Sequence, residues 1–395
     1  MSEPAANAED LFPAEQLPAP SAQVPREPKP WHKPRKQWIR KNQWAALADE
    51  LLTSRKPADR PFKYLTLPGE DLFDIRILHE VCAKHQIPLK FLGFDSTRKT
   101  EVNIASDEVM RLPLIHQESQ LLPDRVELLA TARSLAFEHA EKFQGFDDIN
   151  LDFCDSVGGR EAGTKGGALD AIRTIIELQT REAAHPWLLF VTSRCDRASV
   201  DQSVRAILAK ILLENMSQST AFLARITGSP FALSQAMLSD EENGTQATGE
   251  KEHLFTFGVG FSKWLIKLAV AVWGVKQTYT AGYRVAGQAA QPDMLSLAFR
   301  FDRINPSVTD ATGLASPPVK VKTAPTPTKD EMVSAALNEF ENLTDVDDLL
   351  VKNETLRDQM IAENAALMAQ ARYDVDAIIA WGKAQFQPAA PAAPS

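Results

Sequence analysis

Cysteine is nearly missing: the chain has only Cys82, Cys154 and Cys195 in 395 residues, with no Cys-x-x-Cys spacing. Neither a disulfide framework nor a thiolate zinc site can be built from these three, which implies a reducing compartment. The seven histidines stand singly and make no His-Glu-x-x-His pattern, so no metal site is expected. An apolar leader segment is absent from the first 30 residues, which argues against secretion and for a cytoplasmic protein. The longest apolar stretch, Leu254 to Val275, is broken by Lys263 and Lys267, so no membrane span is expected. An excess of positive charge is also lacking. The formal net charge of −9 excludes a surface that binds nucleic acid all over, though a local basic patch remains open.

What is present suffices for a folded protein. Hydrophobic residues make up 44% and charged residues 24%, a balance that supports one large core with appendages. Residues 1–45 divide into a Pro/Ala-rich tail, expected to be disordered, and a basic aromatic arm. In that arm Trp31, Trp38 and Trp44 alternate with Lys33, Arg35, Lys36, Arg40 and Lys41. Two readings stand. The cations and Trp38 hold nucleic acid, or the tryptophans pack an N-terminal helix on the core.

From residue 46 to 304, strand-like and helix-like patterns alternate, the signature of βαβ units around a parallel sheet. Phe62–Leu67, Leu89–Phe94, Phe146–Phe153 and Pro186–Thr192 read as strands. Helical periodicity marks Asp71–His85, Asp124–Lys142, Gly167–Ala183, Val200–Ile226 and Leu254–Trp273, while Ser239–Glu252 reads as a polar loop. Lys276–Ala286 and Asp293–Asp302 form a closing antiparallel hairpin. Residues 305–329 have Pro/Thr linker chemistry. Residues 330–386 are helical, and Val346, Leu349, Asn353, Leu356, Met360 and Leu367 follow heptad spacing. A coiled coil through 346–370, joining a second copy or a partner protein, and a docked amphipathic helix are both expected possibilities. Residues 387–395 form a final tail.

Four segments carry a resemblance to known proteins: Tyr64-Leu-Thr-Leu-Pro-Gly69-Glu-Asp71, Phe91-Leu-Gly-Phe-Asp95, Ile149-Asn150-Leu-Asp152-Phe-Cys-Asp155-Ser156, and Leu188-Leu-Phe-Val-Thr192-Ser-Arg-Cys-Asp196. In order and position they resemble strand ends of class I S-adenosylmethionine-dependent methyltransferases, nearest to the tRNA guanine-N2 dimethyltransferase-like group. The resemblance implies a doubly wound, mostly parallel sheet with an antiparallel terminal hairpin, followed here by the helical tail. It implies S-adenosylmethionine as cofactor, with Gly69, Glu70, Asp71 and Asp95 holding it. It also implies Asn150, Asp152 and Asp155 as catalytic residues at a nucleic-acid amine. Chemistry agrees in part. Ligands of open α/β sheets bind at the carboxyl ends of strands, and a Pro-Gly-Glu-Asp loop disfavours a phosphate-bearing dinucleotide. The departures are a glycine loop reduced to Gly69 and a fourth-strand motif without its proline and aromatic pair. They leave open an alternative, a catalytically degenerate binding or scaffold protein in a bacterial multi-protein system.

Overall fold

Short runs of Phe, Leu, Ile and Val, each ended by a polar, glycine or proline residue, become the strands of one sheet. They are β1 (Phe62–Thr66), β2 (Leu89–Phe94), β3 (Gln120–Leu122), β4 (Asp148–Asp152), β5 (Trp187–Arg194), β6 (Trp273–Tyr283), β7 (Met294–Arg303) and the two-residue β8 (Thr344–Asp345). This computed structural model describes residues 26–55, 60–97, 99–159, 166–245, 248–285, 289–304 and 327–386. Residues 1–25 of the tail expected up to about Pro30, most of the 305–329 linker and the tail over 387–395 lie outside the described residues.

The strand order is β3-β2-β1-β4-β5-β7-β6-β8. β1 pairs in parallel with β2 and β4, β2 with β3, and β4 with β5, whereas β7 runs antiparallel to both β5 and β6. The expected doubly wound sheet with a reversed terminal hairpin is therefore present. β8 adds a short parallel edge beside β6.

The helices are α1 (Pro34–Ile39), α2 (Ala46–Thr53), α3 (Phe73–Lys84), α4 (Thr100–Met110), α5 (Leu135–Lys142), α6 (Ala168–Glu182) and α7 (Gln202–Gln218). There follow α8 (Thr220–Thr227), α9 (Gln235–Asn243), α10 (Glu250–Ala269), α11 (Lys329–Glu341), α12 (Val346–Lys352), α13 (Glu354–Ala369) and α14 (Val375–Ala384). Between α1 and α2 the chain stays helical but widens to π geometry over Arg40–Ala45. The expected helix over Asp124–Lys142 is interrupted: a short 3-10 turn, Val126–Ala130, precedes α5, which Ser134 caps through the Phe137 amide. The expected polar loop over Ser239–Glu252 contains most of α9, whose start Ser234 caps at the Met237 amide.

Alternation along the strands divides the core in two. Leu65, Leu92, Ile149, Leu151, Trp187, Leu189, Leu297 and Phe301 face α6, α7, α10 and α11. Phe62, Tyr64, Phe91, Leu188, Phe190 and Ala298 face the opposite side, covered by Trp38, Trp44 and Leu51 of the N-terminal helices and by Val346, Leu350 and Met360 from the tail. The tail is thus part of the same body. The heptad reading needs correction for a physical reason. Asn353 leaves helical geometry and caps α13 at the Leu356 amide, so the helix breaks where the seam needed continuity. The apolar residues beyond it pack inward.

Candidate functional site

The turn after β1 sets the site. Gly69 is left-handed (φ +63°), and a Cβ there would meet nothing within 4 Å, so the backbone faces open space. Leu72, fully buried, is also left-handed (φ 53°) at the start of α3, an uncommon conformation for a branched residue. Pro68 leans on Gly93 of β2, where a Cβ would lie 3.3 Å from the proline ring and 2.7 Å from Leu121. A side chain at this position of β2 would have to push Leu121 and Pro68 aside.

A crevice of about 770 Å³ opens at the carboxyl ends of β1, β2, β3 and β4. Gly69, Glu70, Asp95, Asp152 and Asp155 line it, together with Trp31 and Arg40 of the arm. Asp95 ends β2, and its Oδ1 accepts from the Thr97 amide at 2.7 Å and the Thr97 hydroxyl at 2.5 Å, which fixes the carboxylate at the rim. Glu70 accepts from Lys29 and Lys99, one on each oxygen. Burial opposes its ionisation, but these two ammonium groups outweigh that and hold its pKa below the ordinary value.

Asp71 turns away from the crevice. It meets Arg26 at 2.7 Å, His32 at 3.2 Å and the Tyr373 hydroxyl at 3.1 Å. Burial again opposes ionisation, and His32 and Arg26 overcome it. His32 is itself completely buried, which lowers its pKa despite the carboxylate beside it.

Asn150 and Asp152 share one face of β4, two residues apart, and differ in how near they stand to its carboxyl end, whereas Asp155 follows the strand. Asn150 is completely buried, and its amide donates to the Tyr64 hydroxyl at 3.1 Å. That hydroxyl in turn donates to Asp74 at 2.9 Å, a carboxylate whose pKa burial raises. Asn150 thus sits beneath the crevice rather than in its wall. Asp152 lies at the junction, lining the crevice and accepting from Lys36 Nζ at 2.5 Å. Asp155 lies past the strand, in the wall.

The structure also corrects the arm. Arg35, Lys36, Trp38 and Arg40 are buried, and Arg35 pairs with Asp347 at 2.9 Å. Lys33 donates to the Val285 carbonyl, and Lys41, the exposed one, pairs with Glu363. Arg35, Lys36 and Arg40 face inward because the helix they occupy covers the sheet, and Lys36 finds its carboxylate at the end of β4, at Asp152. Sequence reasoning missed Trp31, Arg40, Thr97, Lys99 and the Asp124–Glu127 segment as crevice residues. The spacing of Asp95 and Thr97, an acid followed two residues on by a hydroxyl, was the one readable signal.

A doubly wound sheet with this strand order, a reversed seventh strand and a crevice at its carboxyl edge defines the methyltransferase-like fold. A family profile described as PP_RS20740-like matches residues 25–383, and the chain belongs to that family. No curated protein matches the chain. Solved structures similar to it include an O-methyltransferase family protein from Burkholderia thailandensis, 9% identical over 68% of this chain and 58% of that one, TM-score 0.29. The YcgJ protein of Bacillus subtilis is 11% identical over 67% of this chain and 100% of its own, TM-score 0.27. PKMT2 from Rickettsia typhi is 11% identical over 91% and 74%, TM-score 0.29. The match thus spans little more than half of the Burkholderia protein. No helix among the described residues is long and apolar enough to cross a membrane.

Proposed function

We propose that the crevice binds S-adenosylmethionine and that the protein transfers its methyl group to an amine. The observation that carries this reading is the pairing, in one crevice, of an open left-handed glycine after β1 with a fixed carboxylate at the end of β2. The lining chemistry fits the group. Six acidic side chains, Glu70, Asp95, Asp124, Glu127, Asp152 and Asp155, stand against Arg40, Lys99 and Arg125, a balance that favours a sulfonium over a polyphosphate.

When bound, the cofactor supplies an electrophilic methyl carbon: its bond to sulfur breaks as the acceptor lone pair takes it, leaving a neutral thioether. The chain's own contribution is placement. Asp95 presents an acceptor for ribose hydroxyls, Gly69 lets the ligand approach the main chain, and Asp152 and Asp155 offer carboxylates to an acceptor amine and its departing proton. A nucleic-acid acceptor has weaker support than a small amine, because the arm cations that suggested it are engaged inside the protein.

A second reading, a binding protein that keeps the fold without the chemistry, draws on the two lysines lying over Glu70 at the cofactor loop. Calorimetric titration with S-adenosylmethionine and its demethylated product, with NAD as control, separates the two. Saturable binding of the first pair is expected, weakened about tenfold or more in Asp95→Ala, in line with the loss of a charge-assisted hydrogen bond. Folded protein that takes up neither ligand would remove the catalytic reading.

A further inference from the structure

One buried cation at the crevice has no close hydrogen-bond partner among the described residues. Arg40 is 5% exposed and lines the crevice, yet among the described residues its Nε and Nη1 find no hydrogen-bond acceptor. Its one hydrogen bond among the described residues is a long one, from Nη2 to the Trp31 carbonyl at 3.5 Å, and its guanidinium carbon lies 5.4 Å from the centre of the Phe73 ring. An arginine cannot escape this by losing its proton, so two unmet donors on a buried charge are costly.

The nearby carboxylates of Asp152, Asp74 and Asp71 favour the charge of Arg40, but among the described residues none accepts a hydrogen bond from it. Asp152 is bonded to Lys36, Asp74 to Tyr64 and Thr66, and Asp71 to Arg26, His32 and Tyr373. The same helix also provides a contrast, since Arg35 and Lys36 both have close carboxylate partners. Arg40 stands where the helix widens to π geometry, a distortion found often at functional sites.

We infer that Arg40 is the receptor for the carboxylate of the amino-acid end of the bound cofactor, so that the N-terminal arm supplies part of the ligand site. This rests on the S-adenosylmethionine reading. A planar fork with two free donors suits a carboxylate. The six lining acids disfavour a polyphosphate in the same place, whereas a zwitterion brings one anion for Arg40 together with a positive charge for the acids.

The test compares S-adenosylmethionine with decarboxylated S-adenosylmethionine, which lacks only that anion, on the full chain and on Arg40→Met, by calorimetry. The unaltered protein is expected to prefer the intact ligand by about tenfold or more, and R40M to lose that preference while binding the decarboxylated ligand as before. Arg40→Lys keeps the charge but not the fork, is expected to show an intermediate preference, and answers the question if R40M does not fold. An equal loss for both ligands, or an undiminished preference in R40M and R40K, overturns the assignment of Arg40 alone. If neither ligand binds the unaltered protein, the cofactor reading fails and this inference falls with it.

Discussion

The two faces of the sheet are built on different principles. One is a continuous apolar layer in which Trp187 stacks on Phe301 at 3.8 Å and meets Trp273 edge-on at 5.9 Å. The other is closed by the early and late parts of the chain and carries charge inside it: Arg35 with Asp347, Lys36 with Asp152, and Gln43 donating to the Ser296 carbonyl. The apolar face gains mainly from removing surface from water. The polar face gains less from that source, because each buried charge must recover its hydration through a partner.

The largest expected effect tests the apolar face. Trp187→Ala, at a residue with no exposure, should cost about 3–5 kcal/mol in chemical denaturation. A loss below about 1 kcal/mol would mean that the stacked aromatics do not anchor that layer. A charged cluster on the same side of the molecule offers a sharper comparison. Glu241, wholly buried, accepts from Arg197 at 2.7 Å and Arg205 at 2.9 Å. Glu241→Ala should cost about 3 kcal/mol by stranding two guanidinium groups, again read by denaturant midpoint.

Acid should find this cluster too. His253 is buried next to Arg197, and burial first, then that positive charge, lowers its pKa from 6.5 to about 4. The folded state therefore refuses a proton that the unfolded chain accepts. Stability is full above pH 6.5 and falls as the pH drops toward 4, by up to about 3 kcal/mol. His253→Leu should flatten that slope in a series of melts between pH 7 and 4, leaving the shallower part due to His32. An unchanged slope would acquit His253. The smallest effect belongs to the polar face: Tyr373→Phe removes the bond to Asp71 and should cost about 1 kcal/mol in thermal melts.

Most of the apolar face was legible in the sequence, because the unbroken apolar run Leu188-Leu-Phe-Val, buried on both sides, and helical spacing in α6 report burial directly. β3 was not legible because its three residues, Gln120–Leu122, carry too little pattern. α9 was hidden by a composition rich in Ser, Asp and Glu, although its Ser234 cap was there to read. The polar face misled more. Alternating cations and tryptophans have the same spelling whether they meet phosphates or buried carboxylates, and only the strand ends opposite Lys36 and Arg35 decide between them. Asn150 and Asp152 looked equivalent in the motif and do share one face of β4, but β4 ends at Asp152, which puts Asn150 under the crevice and Asp152 at its edge.

The corner around Asp71 joins residues from far apart in the chain: Arg26 donates to the Ala371 carbonyl across 345 positions, and Tyr373 reaches Asp71 across 302. During synthesis the glycine turn, α3 and the arm leave the ribosome long before their counterpart in the tail. This corner therefore stays unfinished until the tail helices have been made, and a chain stopped before them would carry the parallel strands without it.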